Sequence, residues 1–305
     1  MIEPYVKKLI ENLPDTIKNT KTPLKLDLVL DGGLFNGSYL VGALYFIKEM
    51  ELRGYVKVER ISGSSIGSIV GFLYFIDALD EASCLYEMIL TDFKQQYNLS
   101  FIKKLKQHLQ HRIPANICEI LYNKFYITFN NVEKQKKIVK KTYKNVDEII
   151  DCIIRSCFIP FLIDGNIVYK HKYIDGLNPH IFKTKNERKV LFMNLSTLDK
   201  IFGTINIKNE KTNLHRILSG MLDIYVFFIK GTKTHMCSFV NNWNIMDVIY
   251  IYVRYSLERI FVHNIYWLNY IHKNVLQKIK KHVFFDLLSK YYKKNLASLL
   301  DKYCL

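Results

Sequence analysis

Near its start the chain runs twice from an apolar strand pattern through a glycine turn into a helical pattern, and this repetition constrains the fold more than any other feature. Leu24-Lys25-Leu26-Asp27-Leu28-Val29-Leu30 alternates and then turns fully apolar, as a strand entering a buried sheet does. The turn Asp31-Gly32-Gly33-Leu34-Phe35-Asn36-Gly37 follows, and Tyr39, Leu40, Ala43, Leu44, Ile47 and Met50 then recur at helical spacing. In the second unit Val56, Val58 and Ile61 precede Gly63-Ser64-Ser65-Ile66-Gly67, and a long apolar run comes after. Two such units in succession require a right-handed crossover. They predict a three-layer α/β fold, with a mostly parallel central sheet flanked by helices.

The rest of the chain extends this pattern. Val6 to Leu13 forms a short leading helix closed near Pro14, and Ala78 to Leu109 reads as helical with one polar side. Lys124 to Asn130 is a strand, Asp147 to Phe158 a helix ending before Pro160, and Lys189 to Leu195 another buried strand. With 305 residues, 49% of them hydrophobic, and few Pro or Gly, the chain can bury a large core without a linker. The expected organisation is a leading helix in residues 1–23, an α/β catalytic domain in 24–200, and a helical C-terminal region in 201–305 packed on it. From Leu214 to Lys230 and from Asn244 to Val275 the texture is aromatic and aliphatic, interrupted by Asp223, Arg254, Glu258 and Arg259. A membrane span needs about 20 predominantly apolar residues. The interrupting charges therefore favour packed helices covering the sheet, with a surface-lying amphipathic helix as the alternative.

The net charge of +16 calls for an anionic partner. Basic residues cluster in Lys103-Lys104-Leu105-Lys106, from Lys134 to Lys144, and in Lys278-Ile279-Lys280-Lys281. No nucleic-acid module accompanies them, so an anionic membrane surface, attracting roughly 1 kcal/mol per nearby Lys or Arg, ranks above nucleic acid. The six cysteines, Cys304 included, are scattered without metal-binding spacing and suit a reducing compartment. The beginning of the sequence does not read as a signal peptide, and the expected location is cytoplasmic with peripheral membrane contact. Oligomeric state is not legible.

Chemistry concentrates around Ser65. A Gly-x-Ser-x-Gly between strand and helix is the context of a nucleophilic serine. Gly63 and Gly67 permit the sharp turn, and the helix N-terminus beside the serine favours developing negative charge. Acyl transfer also needs an oxyanion site. The adjacent glycines of Gly32-Gly33-Leu34 let backbone N–H groups converge on one point, where each contributes about 3–4 kcal/mol to a transition state. Taken in isolation the same turn fits a phosphate loop, although it lacks a Walker lysine and the Gly-x-Gly-x-x-Gly spacing. Of nine histidines, only His171 and His180 lie near another suggestive motif, Tyr173-Ile174-Asp175-Gly176-Leu177-Asn178-Pro179. An aspartate there sits at a strand end, where sites on parallel sheets collect. Asp164-Gly165 offers a second such pair, and the residues alone leave both open.

Three motifs in order resemble those of patatin-like phospholipases. Asp31 to Leu44 is similar to the family's opening glycine turn and helix, with Gly37 in its place, and Gly63 to Gly67 to its nucleophile elbow. Arg155-Ser156-Cys157-Phe158-Ile159-Pro160 and Tyr173-Ile174-Asp175-Gly176 resemble its second catalytic region. The likeness spans roughly Leu24 to Leu195. It implies a Ser65–Asp175 dyad without histidine, and an oxyanion hole of Gly33 and Leu34 N–H groups with Gly32 beside them. It also implies no cofactor or metal, and hydrolysis of a fatty-acyl ester in glycerophospholipids or related lipids. An acyltransferase with the same dyad, or an inactive lipid-binding protein, are the alternatives. Three departures stand out. Leu34 replaces the third glycine of the turn, so it serves as a donor on the condition that its φ is negative, and Asn36 replaces the usual Arg or Lys. Leu177 replaces the second Gly or Ala of the aspartate motif.

Overall fold

Both strand–turn–helix units fold around a shared sheet edge. The computed structural model describes residues 2–19, 22–96, 98–184, 187–197, 200, 207, 210–276, 294–295 and 298. After the short helices α1 (Glu3–Glu11) and α2 (Asp15–Lys18), β1 (Leu24–Leu30) runs parallel to β2 (Val56–Ser64) on one side. On its other side it runs parallel to β6 (Lys189–Met193). β2 also pairs in parallel with β3 (Phe125–Asn131), which in turn pairs antiparallel with β4 (Lys136–Lys140) and with the two-residue β5 (Tyr173–Ile174). β7 (Cys237–Phe239) closes the far side antiparallel to β6. The result is a mixed, mostly parallel sheet of order β4-β3-β2-β1-β6-β7 with β5 on β3. Register aligns Leu30 with both Gly63 and Met193. The chain therefore leaves β1, β2 and β6 at one edge, the edge where parallel sheets place ligands.

Helices cover the sheet as the patterning predicts. α3 (Gly37–Leu52) and α4 (Ile66–Phe75) follow the two glycine turns, and α5 (Ala82–Gln96), α6 (Leu105–Leu109), α7 (Ile117–Leu121) and α8 (Val146–Ser156) complete this part. The core is continuous, from Leu26, Leu28 and Leu30 through Phe46, Phe72 and Phe125 to Phe227. α9 (Leu214–Lys230) crosses α3 at backbone contact distance. A Cβ on Gly42 would lie 1.8 Å from the Ile217 carbonyl oxygen, and one on Gly220 would lie 1.9 Å from that of Tyr39.

Several elements differ from their sequence-based reading. The helix expected from Ala78 to Leu109 breaks after α5. There the Asp92 carboxylate accepts the Phe101 N–H at 3.1 Å and Asn98 accepts the Ser100 N–H at 3.0 Å, local bonds that compete with helical ones. The basic run from Lys134 to Lys144 contains an edge strand, β4, whose lysines deter edge-to-edge pairing. Many of the clustered cations are ion-paired: Lys103 with Asp164, Lys106 with Asp147, Lys137 with Glu258, and Lys140 with Glu148. Lys278 to Lys281 and Cys304 lie outside the described residues.

α10 (Ile245–Ile271) is inverted relative to an ordinary surface helix. Its inward stripe is Ile251, Arg254, Glu258, Val262, Ile265 and Asn269, half of it polar, while Ile249, Tyr252, Val253, Ile260 and Trp267 are exposed. Among the described residues no helix is long and apolar enough to cross a membrane.

Candidate active site

Ser65 joins β2 to α4 in a strained left-handed conformation, φ +50° and ψ −130°. The flanking glycines are required by crowding. A Cβ on Gly63 would sit 2.5 Å from the Gly67 carbonyl oxygen, and one on Gly67 would sit 2.5 Å from that of Leu30. Strain of this kind costs about 1–3 kcal/mol and persists where the surroundings over-determine it. Here the Ser65 N–H donates to Ser156 Oγ at 2.9 Å, and that hydroxyl donates to the Thr128 carbonyl at 2.6 Å. Ser68 Oγ donates back to the Ser65 carbonyl at 2.6 Å. The side chain of Ser65 thus stands at the α4 N-terminus, 7% exposed.

Asp175 follows β5 and is brought to the same cavity as Ser65. Its N–H donates to the Phe158 carbonyl at 2.8 Å and that of Gly176 to the Ser156 carbonyl at 3.1 Å, so the segment from Arg155 to Pro160 supports both motifs. Gly176 passes so close to β3 that a Cβ would lie 2.1 Å from the Thr128 carbonyl oxygen. Oδ1 of Asp175 accepts the Leu177 N–H at 2.7 Å, while Oδ2 is buried without a hydrogen-bond partner. Burial pushes the carboxyl from 3.8 up to about 7, against the opposing pull of the Ser65 hydroxyl and the Leu177 N–H and with a smaller push from Glu258. Ser65 is thus close enough to bias Asp175, yet no hydrogen bond of ordinary geometry joins them. Free enzymes often show such contacts long. Asp164 lies apart, paired with Lys103. Among the described residues no histidine lines the cavity, and His180 stacks on Tyr126 instead.

The glycine turn departs from expectation in conformation. Leu34 has φ +45° and Leu177 φ +51°, so both leucines that stand in for smaller residues keep a left-handed backbone, at about 1–2 kcal/mol each. The condition for Leu34 to serve as a donor, a negative φ, is therefore not met, and Gly33 is left as the donor of the pair. Asp31 Oδ1 accepts the Gly32 N–H at 2.9 Å, whereas the Gly33 and Leu34 N–H groups make no hydrogen bond among the described residues. Gly37 packs under Ile66, whose Cγ1 would be 2.2 Å from an added Cβ.

Three residues beyond the recognisable motifs brace the site, two of them at this turn. Arg254 of α10 grips the buried Asp31 carboxylate bidentately at 2.7 and 3.0 Å, and the Leu195 N–H and Ser196 hydroxyl each add a bond of 3.0 Å. Glu258, one turn further along α10, accepts from Asn130 at 2.8 Å and Asn178 at 2.9 Å and pairs with Lys137 at 2.7 Å. Arg216 of α9, 2% exposed, donates to the Asn36 side chain while Glu210 accepts from it at 2.6 and 2.9 Å. A guanidinium thus reaches the position where Asn36 replaced a basic residue, carried in by α9. The sequence signal for Arg254 and Glu258 was their place as charges within an apolar helix, and Arg216 carried none.

Two cavities meet at Ser65. One, of about 540 Å³, is lined by Gly32, Gly33, Asp175, Asn178, Arg254 and Phe261 among others. The second is a narrow apolar slot of about 60 Å³ running from Leu34 and Ile66 between α4 and α5 toward Leu99 and Ile102. Glu81, Cys84 and His108 are spaced to hold a metal ion but line neither cavity.

Residues 28–178 match the family model described as patatin-like phospholipase. Over 136 residues the chain is 28% identical to 1-acylglycerol-3-phosphate O-acyltransferase PNPLA3 of Homo sapiens, covering 42% of this chain and 28% of that protein. It is 22% identical over 155 residues to omega-hydroxyceramide transacylase of Mus musculus, covering 48% of this chain and 26% of that one. The matched stretches span little more than a quarter of those relatives' length.

Proposed function

We propose, from the premise that this chain belongs through residues 28–178 to the patatin-like phospholipase family, that Ser65 and Asp175 form a dyad cleaving a fatty-acyl ester of a glycerophospholipid or related lipid. The observation that carries this reading is the meeting of a strained serine at a helix N-terminus with a buried carboxyl raised to about 7 in one cavity. Ionised Asp175 takes the proton of Ser65 as Oγ attacks the acyl carbonyl. The oxyanion accepts from the Gly33 N–H group, aided by the α4 dipole. Collapse of the tetrahedral intermediate returns the proton to the departing alcohol and leaves the acyl group on Ser65. Water, deprotonated by Asp175, then releases the fatty acid. The apolar slot takes the acyl chain and the wider cavity the polar part of the lipid, at an anionic membrane surface that the net positive charge favours.

A second reading replaces water with an alcohol. It is favoured by the printed names of the relatives, an acyltransferase and a transacylase. The cavity of about 540 Å³ leaves room for an acceptor. One experiment tests both readings: a fluorophosphonate probe followed by product analysis on phospholipid vesicles, with Ser65→Ala as control. Labelling of Ser65 and loss of both labelling and product in the variant are expected. Free fatty acid marks a hydrolase and acylated alcohol a transferase, while a folded wild-type protein that resists labelling is an inactive lipid binder.

A further inference from the structure

We propose that α10 is the docking element for a lipid surface, lying along it with its apolar face inserted and the site mouth turned toward the lipid. This rests on the lipid-ester reading of Ser65. A soluble helix buries its apolar stripe, whereas this one turns inward a stripe that is half polar, Arg254, Glu258 and Asn269 beside Ile251, Val262 and Ile265, and exposes a largely apolar opposite face with Ile249, Tyr252, Val253, Ile260 and Trp267.

Three observations select a lipid surface as what covers it. First, the face is continuous with the site. Leu257 and Phe261, 60% and 37% exposed, border the cavity that holds Ser65, so a lipid leaving a membrane at this face meets the nucleophile directly. Second, the charge pattern suits a surface and not a span. Away from its inward stripe the charged residues of α10 are Asp247, paired with Lys233, and Arg259, with Ser256, His263 and Asn264 also polar there, so no unpaired carboxylate of this helix faces outward on a chain of net charge +16. Third, the exposed face mixes aliphatic side chains with Tyr252, Trp267 and Tyr270, the residue types that partition to the headgroup level. Arg254 and Glu258, by anchoring α10 to Asp31 and to Asn130, fix the docking face relative to the oxyanion turn.

The test uses the full chain, phosphatidylcholine vesicles with and without phosphatidylserine, and an Ile249→Glu/Ile260→Glu variant whose substituted residues line neither cavity. Wild type is expected to bind both vesicle types, with phosphatidylserine adding a salt-sensitive increment. In a Trp243→Phe background, leaving Trp267 as the single tryptophan, emission shifts to the blue on binding. The double variant is expected to lose at least about 100-fold in partitioning to neutral vesicles, the scale of withdrawing two large apolar side chains. Its thermal midpoint and fluorophosphonate labelling in solution should match wild type. Vesicle binding by the variant equal to wild type overturns the proposal. So does a wild-type dimer, seen by sedimentation without vesicles, that the substitutions dissociate while binding persists. If wild type docks but Ser65 resists labelling, docking stands and the dyad fails. If Ser65 is labelled but wild type ignores vesicles, docking alone fails.

Discussion

Asp175→Asn should make the protein more stable as well as inactive, and the gain should grow with pH. In the native state Asp175 keeps its proton up to about pH 7, whereas in the unfolded chain it releases it near 3.8. Between those values the native state binds more protons than the unfolded state, so stability falls as pH rises. At 1.36 kcal/mol per pH unit the full loss approaches about 4 kcal/mol, of which roughly 2–3 kcal/mol falls between about pH 5 and pH 8. Asparagine has no proton to release and keeps an acceptor for the Leu177 N–H, so it escapes this loss. Every other titrating group is common to the two proteins and cancels in their difference. Thermal denaturation should therefore show the variant's advantage widening by roughly 5 °C from about pH 5 to pH 8. In the proposed dyad the same carboxyl must be ionised to act as base, so wild-type kcat/KM should climb through about pH 7 and the variant should fall near background. An advantage that does not change with pH would refute the claim that burial holds Asp175 protonated.

Other outcomes follow from the residues that hold the turn. Arg254→Met strands the buried Asp31 carboxylate and should cost about 3–5 kcal/mol in urea denaturation, most of it recovered by adding Asp31→Asn. Arg216→Met should lower kcat at least about tenfold with little change in KM, since it touches the turn through Asn36 and not the substrate cavities; an effect confined to KM would show otherwise. Leu34→Gly should be more stable than Leu34→Ala by about 1 kcal/mol, because only glycine relieves the left-handed backbone, and equal stabilities would mean that position is unstrained.

The sequence made legible what is local. β1 was readable to its ends because alternation and an apolar run mark a strand entering a sheet, and α9 because apolar residues recur between a polar start and Gly231. The elbow was readable because Gly63 and Gly67 yield to backbone crowding that no other residue tolerates. β4 was hidden because the lysines that protect a sheet edge also resemble a solvated charge run. The φ of Leu34 was hidden because a leucine in a left-handed turn leaves no mark on its neighbours.

What escaped the sequence entirely was the origin of the charge around the turn. Asn36 reads as the loss of a basic residue, and in the chain nothing nearby restores it. Arg216 lies 180 residues away and arrives only through the α3–α9 crossing that Gly42 and Gly220 permit. Arg254 and Glu258 were visible, but as interruptions of an apolar helix, which is how a pattern looks when helical position is scored without a partner. Burying a guanidinium or carboxylate costs several kcal/mol unless a counter-charge or strong donors await it. Two such groups one turn apart on the inward side of a largely apolar helix therefore imply a polar receptor at fixed spacing. Asp31 is the receptor for the first, and Asn130, Asn178 and Lys137 are the receptors for the second. The inverted amphipathicity of α10 follows from this: its polar stripe is committed to the site, so its apolar face has only the outside to turn to.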